Sequence, residues 1–263
     1  MGFIPQLFIG HFLRFLRREF SIEIRRVNSN RLIQIVEATP YDLETISISS
    51  KFSMQSQERI WSIIQSTKYI VANDIKGSFV ECGVYKGGTA IAISRTLASM
   101  GVKDREIWLF DTYQGMTNPT EFDSHSGSQT LAAELLSATP IGDGENIWAS
   151  ASLKSVQEAV KEVDYPFSLF KFVVGDVLET LTENIPSEIA FLRLDTDWYE
   201  STKFELKQLE PRVADQGVVI IDDYGHWSGA KKAVDEYLEE MKISPMIHYI
   251  DYTGRCWVKK KVL

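Results

Sequence analysis

The sequence predicts one open α/β domain built on a mostly parallel sheet with helices on both faces. Three observations carry this. Short apolar stretches alternate with amphipathic ones from about residue 77 to residue 241. The short stretches are apolar at consecutive positions, which is the pattern of strands covered on both sides. Four of them run into an acid, at Asp111, Asp176, Asp195 and Asp222. In such sheets the ligand crevice lies at the carboxyl ends of the strands, so these acids gather on the rim where a ligand binds.

The elements follow in order. Residues 54–73 read as a helix, with Ile60, Trp61, Ile63, Ile64 and Ile70 at near-helical spacing. Gly77 to Val84 is a first strand leading into glycines, and Thr89 to Ala98 is the helix after it. Ile107 to Phe110, Phe170 to Val174, Ile189 to Leu194 and Gly217 to Ile221 are further strands. Helices follow at Glu200 to Gln208 and Lys231 to Met241. Ile247 to Asp251 and Arg255 to Lys259 form a terminal hairpin around Thr253-Gly254. Residues 1–50 read as an irregular N-terminal extension, with an extended stretch at Leu32 to Val36, and residues 51–263 as the main domain. Residues 113–152 interrupt the rhythm with Asn118-Pro119, Ser124 to Ser128 and Gly142 to Gly144. An insertion of that length beside the crevice is a candidate lid or substrate-recognition segment.

Composition narrows the partners. The 263 residues carry 28 basic and 36 acidic side chains, a formal net charge of -8. That argues against non-specific binding to a nucleic-acid backbone, which needs clustered lysine and arginine. Two cysteines, Cys82 and Cys256, make no disulfide framework, so a reducing cytoplasm is expected. No run of about 18 uncharged apolar residues is present to span a membrane. Met1 to Phe20 mixes Phe12, Leu13, Phe15 and Leu16 with Arg14, Arg17 and Arg18. The basic residues follow the apolar ones, which is the wrong order for a signal peptide. A membrane-surface helix competes with a helix packed on the domain or on a second subunit, and the packed helix is the favoured reading.

The turn after the first strand reads Glu81-Cys82-Gly83-Val84-Tyr85-Lys86-Gly87-Gly88. Glycines let backbone approach a ligand closely. The spacing is neither that of a dinucleotide turn nor that of a phosphate loop. An acid before the turn repels phosphate and suits a cationic amino acid. S-adenosylmethionine offers an ammonium, a sulfonium and a ribose diol. Asp111, 28 residues beyond Gly83, is placed to accept from ribose hydroxyls. Asp176 is placed near an adenine. Either acid alone could simply cap a helix.

Leu194-Asp195-Thr196-Asp197-Trp198 and Ile221-Asp222-Asp223-Tyr224 are the sharper signal. If their strands are neighbours, Asp195, Asp222 and Asp223 lie side by side. Adjacent carboxylates repel, and a hard divalent cation removes that cost, Mg²⁺ first, with Mn²⁺ or Ca²⁺ as alternatives. The competing reading pairs these acids with Arg193, Lys203 or Lys231. A cation also explains chemistry at an alcohol, whose pKa near about 15 makes it a poor nucleophile until a metal lowers it. Asp197 is the first candidate for the base, with His226 as runner-up.

Together these residues resemble the macrocin-type (TylF-like) O-methyltransferases, over roughly residues 50–260. The matching stretches are Phe79 to Gly88, Asp111 to Met116, Leu192 to Thr202 and Ile221 to Gly225. The resemblance implies a Rossmann-like class I methyltransferase fold: a mostly parallel seven-stranded sheet with a C-terminal antiparallel hairpin. It implies a Mg²⁺-dependent transfer of methyl from S-adenosylmethionine to a sugar hydroxyl, often on a glycosylated natural product, by a dimer or larger assembly. Asp195, Asp222 and Asp223 would hold the metal. Asp197 would be the base, with Asp195 as rival. The donor-binding candidates are Glu81, Cys82, Gly83, Tyr85, Gly87, Thr89, Asp111, Thr112, Asp176 and Asp195. The alternatives are a catechol-type phenol acceptor and a non-catalytic cofactor-binding subunit.

Overall fold

A computed structural model describes residues 35–140, 146–183 and 185–260. Helix α1 (Pro40–Ser49) opens on a reciprocal cap: Thr39 accepts from Asp42 N, and the Asp42 side chain accepts from Thr39 N. Helix α2 (Gln57–Ala72) starts at Ser56, whose hydroxyl accepts from Arg59 N. The sheet and its helices then follow as β1 (Ser78–Cys82), α3 (Gly88–Ser99) and β2 (Ile107–Asp111). Next come α4 (Ala132–Ala138), α5 (Leu153–Lys161), β3 (Phe170–Val174), α6 (Val177–Thr180) and β4 (Ile189–Leu194). The chain closes with α7 (Tyr199–Leu209), β5 (Val213–Ile221), α8 (Ser228–Met241), β6 (His248–Tyr249) and β7 (Arg255–Val258).

Among the described residues the sheet has seven strands in the order β3-β2-β1-β4-β5-β7-β6. The first five run parallel; β7 is antiparallel to β5, and β6 to β7. This is the predicted class I methyltransferase fold. The chain winds outward from β1 to β3, then returns to β4 on the other side of β1. That reversal opens the crevice at the carboxyl ends of β1 and β4.

Alternation along each strand feeds two cores. Phe79 and Phe191 face one layer, with Ile60, Ile63 and Ile64 of α2 and Ile91 of α3. Val80, Leu192 and Leu194 face the other, with Leu206 and Leu209 of α7 and Tyr237 of α8. Each such side chain, fully buried, contributes about 1.5–3 kcal/mol. These layers fix the strand ends, and with them the rim.

Several expectations change. Residues 40–49 were read as irregular and form α1; the Thr-Pro-x-Asp start is a capping signal that the weakly amphipathic helix body obscured. Strand β5 begins at Val213, four residues earlier than Gly217. The insertion from Tyr113 to Ser152 holds α4 and two isolated bridges, Ser124 with Leu131 and His125 with Trp227. Helices α5 and α6 were not anticipated. Met1 to Phe20, Leu32 to Gln34 and Gly142 to Gly144 lie outside the described residues. No helix among the described residues is long and apolar enough to cross a membrane.

Candidate active site

A cavity of about 650 Å³ opens at the carboxyl ends of the strands. The glycine turn forms its floor. Gly83 and Gly87 have φ of 83° and 89°, the left-handed region where a side chain is strained. A Cβ added at Gly83 would lie 2.0 Å from the Asp195 carbonyl oxygen, and one at Gly88 would lie 2.6 Å from Ser53 Cβ. The turn is thus wedged between the end of β4 and the segment before α2.

Asp111 binds both first turns together. Its Oδ2 accepts from Val84 N at 2.6 Å and Tyr85 N at 3.1 Å, and its Oδ1 from Tyr113 N at 2.6 Å. Burial raises its carboxyl pKa, and those N–H groups act against the rise. Gly83, Tyr85, Asp111, Thr112, Asp176 and Asp195 line the cavity. Asp176 also caps α6 by accepting from Leu178 N at 2.9 Å. Glu81, Cys82, Gly87 and Thr89 sit behind the lining. Glu81 is 1% exposed, and Arg193 Nη1 donates to its Oε1 at 2.6 Å. Burial pushes Glu81 up to about 7 despite that guanidinium. Cys82 faces the opposite core layer.

Strands β4 and β5 are neighbours, with Leu194 opposite Ile221, which meets the condition for the acids to lie side by side. Asp195 N donates to Cys82 O and Asp222 N to Leu194 O, both at 2.9 Å, so the ladder continues into the acidic turns. One ligand oxygen each from Asp195, Asp197 and Asp223 lie within 4.8 Å of one another. Burial raises all three carboxyls, Asp197 to about 7, and their mutual charge adds to the effect. Asp223 Oδ2 is buried without a hydrogen-bond partner. A buried, unpartnered acceptor among crowded carboxylates fits a hard cation.

Asp222 lines the cavity beside Asp195, with which its carboxyl shares a hydrogen bond. It points to two guanidinium groups: Arg193 Nη2 is 2.7 Å from Oδ1, and Arg59 Nη1 contacts Oδ2. Burial would raise its carboxyl, but Arg193 and Arg59 outweigh it and hold it below the usual value. Arg193 also lies 2.8 Å from Asp195 Oδ2. The competing ion-pair reading therefore applies to Asp222 and Arg193, while Lys203 pairs with Glu236 and Lys231 with Asp235. Asp197, at a φ of 66°, also comes within reach of Asp195 and Asp223.

The insertion supplies the outer wall. Ser126 N donates to His226 O at 2.8 Å and Ser228 N to Ser124 O at 2.9 Å, which latches the insertion to the β5–α8 loop. His125 and His226 stack edge-on, 4.7 Å between ring centres, and both line the cavity. His226 Nδ1 is 3.0 Å from the Tyr252 hydroxyl. Burial, then His125, lowers the pKa of His226. Trp198 Nε1 donates to Thr117 O at 3.0 Å and tethers the wall to the Asp197 turn. Sequence reasoning missed Arg59 and His125. Arg59 stands 163 residues from Asp222 and nothing local marks it; His125 carried the signal of a histidine in a lid segment.

Comparison with known proteins identifies the family. The family model for macrocin O-methyltransferase (TylF) matches residues 41–259. Demethyldecarbamoylnovobiocin O-methyltransferase of Streptomyces niveus is 30% identical over 204 residues, covering 78% of this chain and 74% of that protein. The 8-demethyl-8-(2,3-dimethoxy-alpha-L-rhamnosyl)-tetracenomycin-C 4'-O-methyltransferase of Streptomyces olivaceus is 29% identical over 205 residues, covering 78% and 74%. The solved structure of the O-methyltransferase NovP superposes with a TM-score of 0.70 at 28% identity, over 80% of this chain and 83% of that one. The chain belongs to the macrocin O-methyltransferase family and is an O-methyltransferase.

Proposed function

We propose that this enzyme transfers the methyl group of S-adenosylmethionine to a sugar hydroxyl of a glycoside or saccharide, with a hard divalent cation, Mg²⁺ first, held by Asp195, Asp222 and Asp223 and with Asp197 beside them as the base. The observation that carries the reading is the crowding of Asp195, Asp197, Asp222 and Asp223, with Asp223 Oδ2 buried and unpartnered, on the same rim as the glycine turn. The sugar acceptor is supported by the rhamnosyl acceptor in the name of the Streptomyces olivaceus relative.

When bound, the cation supplies positive charge that acidifies a nearby hydroxyl, and S-adenosylmethionine supplies an electrophilic methyl carbon. The remaining work falls to the chain. The turn at Gly83 would let the donor approach the backbone, and Asp111 and Thr112, which line the cavity, would hold its ribose. Bound there, the donor would supply its methyl group to the acceptor oxygen and would leave as the neutral thioether. The hydroxyl proton passes to Asp197. Burial brings that carboxyl to about 7 in the cation-free chain, and a cation lowers it, so it is ionised and ready to accept a proton at neutral pH. Asp195 and His226 are the alternative acceptors.

The test is methyl transfer from S-adenosylmethionine to a panel of glycosides, free sugars and catechols, before and after complete chelation and with Mg²⁺ restored. Methylated glycoside that disappears with chelator and returns with Mg²⁺ is expected. Turnover that survives full metal removal, or that falls only on catechols, overturns the reading.

A further inference from the structure

Glu205 of α7 lies beneath the acidic turn and is 0% exposed. The Thr196 hydroxyl donates to its Oε1 at 2.9 Å. Thr196 is the residue between Asp195 and Asp197. The Cys82 thiol hydrogen-bonds the same carboxyl from the end of β1, immediately before Gly83. Glu205 therefore touches the turn that carries the carboxylates and the strand that leads into the glycine turn.

Burying a carboxyl is costly unless a partner compensates. Among the described residues no lysine or arginine forms a salt bridge with Glu205, and the nearby charge is the carboxylate of Asp176. Packing alone would be served better by leucine. The turn it supports needs support. Asp197 sits at φ 66°, in the left-handed region that aspartate visits only occasionally. On the main-chain side the turn is fixed by Trp198 N, which donates to Thr196 O at 2.7 Å, and by Ser201 Oγ, which donates to the same oxygen at 3.3 Å. Glu205 is the side-chain anchor.

We propose that Glu205 is a positioning residue: through Thr196 and Cys82 it holds the Asp195-Thr196-Asp197 turn in register with the glycine turn. The inference rests on the cation reading above only for its metal readout. Glu205→Gln keeps an acceptor oxygen for Thr196; Glu205→Leu removes it; Thr196→Val removes the same bond from the other side.

The experiment compares these variants and Thr196→Val/Glu205→Leu in full-length protein, by Mn²⁺ titration without donor or acceptor and by steady-state kinetics. Circular dichroism checks that each is folded. Supporting residues of this kind typically cost 10–100-fold in metal affinity or activity when removed, so a loss of roughly tenfold or more is expected in Glu205→Leu and in Thr196→Val. Glu205→Gln should stay near wild type, and the double variant should be no worse than either single one. Folded Glu205→Leu with wild-type Mn²⁺ affinity and kcat overturns the proposal, as do losses that multiply in the double variant. Wild-type protein that binds no Mn²⁺ overturns the cation reading instead, and the kinetic coupling of Thr196 with Glu205 then decides the positioning role. Should Glu205→Leu not fold, Thr196→Val and Glu205→Gln carry the same comparison.

Discussion

Replacing Gly83 by alanine tests whether the donor turn and the acidic turn are wedged against each other. The new Cβ would lie 2.0 Å from the carbonyl oxygen of Asp195 and 2.7 Å from its carbonyl carbon. An ordinary non-bonded carbon contact is about 3.5 Å, so one turn must retreat by roughly 1.5 Å. Both obstructing atoms are main chain, and no side-chain rotation relieves the clash. The left-handed φ adds a separate cost of about 1–2 kcal/mol. Gly101 provides the control: its φ is +75° and an added Cβ meets nothing within 4 Å. Gly101→Ala therefore incurs only the backbone cost, a fall of roughly 2–8 °C in Tm, with kcat unchanged. Gly83→Ala should fall further in Tm and lose about 100-fold in kcat, the usual effect of displacing reacting groups by an ångström. Thermal unfolding, donor titration and kcat on both variants make the comparison. A Gly83→Ala enzyme as stable and as active as Gly101→Ala would refute the wedge.

Three more outcomes are expected. Asp222→Asn and Asp223→Asn should both weaken Mn²⁺ binding, and the first should also destabilise the fold. It leaves Arg59 and Arg193 under-compensated and costs about 3–5 kcal/mol in urea unfolding; the second spares stability, and wild-type Mn²⁺ affinity in either variant or equal losses of stability in both would count against this. Stability should fall between about pH 4.5 and about pH 8 in part through Glu205, whose carboxyl burial pushes from 4.5 to about 8. Below that window it is neutral folded and unfolded; within it only the unfolded chain gives up the proton, so the folded state loses at most about 1.4 kcal/mol per pH unit. Glu205→Gln should flatten that slope, and unchanged slopes in urea unfolding at pH 5 and pH 8 would count against it. Asp123 is 0% exposed and accepts from Thr120 N, Thr120 Oγ1 and Tyr199 N. Asp123→Ala should unlatch the insertion at a cost of about 1–3 kcal/mol and expose residues 113–152 to limited proteolysis; a wild-type cleavage pattern would argue that the latch lies elsewhere.

The sequence by itself determined the layering and the rim. Two-sided apolar strands such as Ile189 to Leu194 can lie only inside a helix-covered parallel sheet, and periodicity alone places Asp111, Asp195 and Asp222 at strand ends. That β4 lies beside β5 was a condition of the reading, and the sheet order meets it. Tertiary structure decided which carboxylates meet. Asp222 and Asp223 are adjacent in the chain, yet one turns to Arg59 and Arg193 and the other toward Asp195 and Asp197. That division depends on a guanidinium 163 residues away and on the left-handed turn at Asp197, and neither leaves a local pattern. The capping box that starts α1 was local and readable. Glu205 read only as part of a polar helix face, because its burial exists only once α7 has packed under the turn. Periodicity reports which face of an element is apolar; the pairing of charges across elements is fixed by packing.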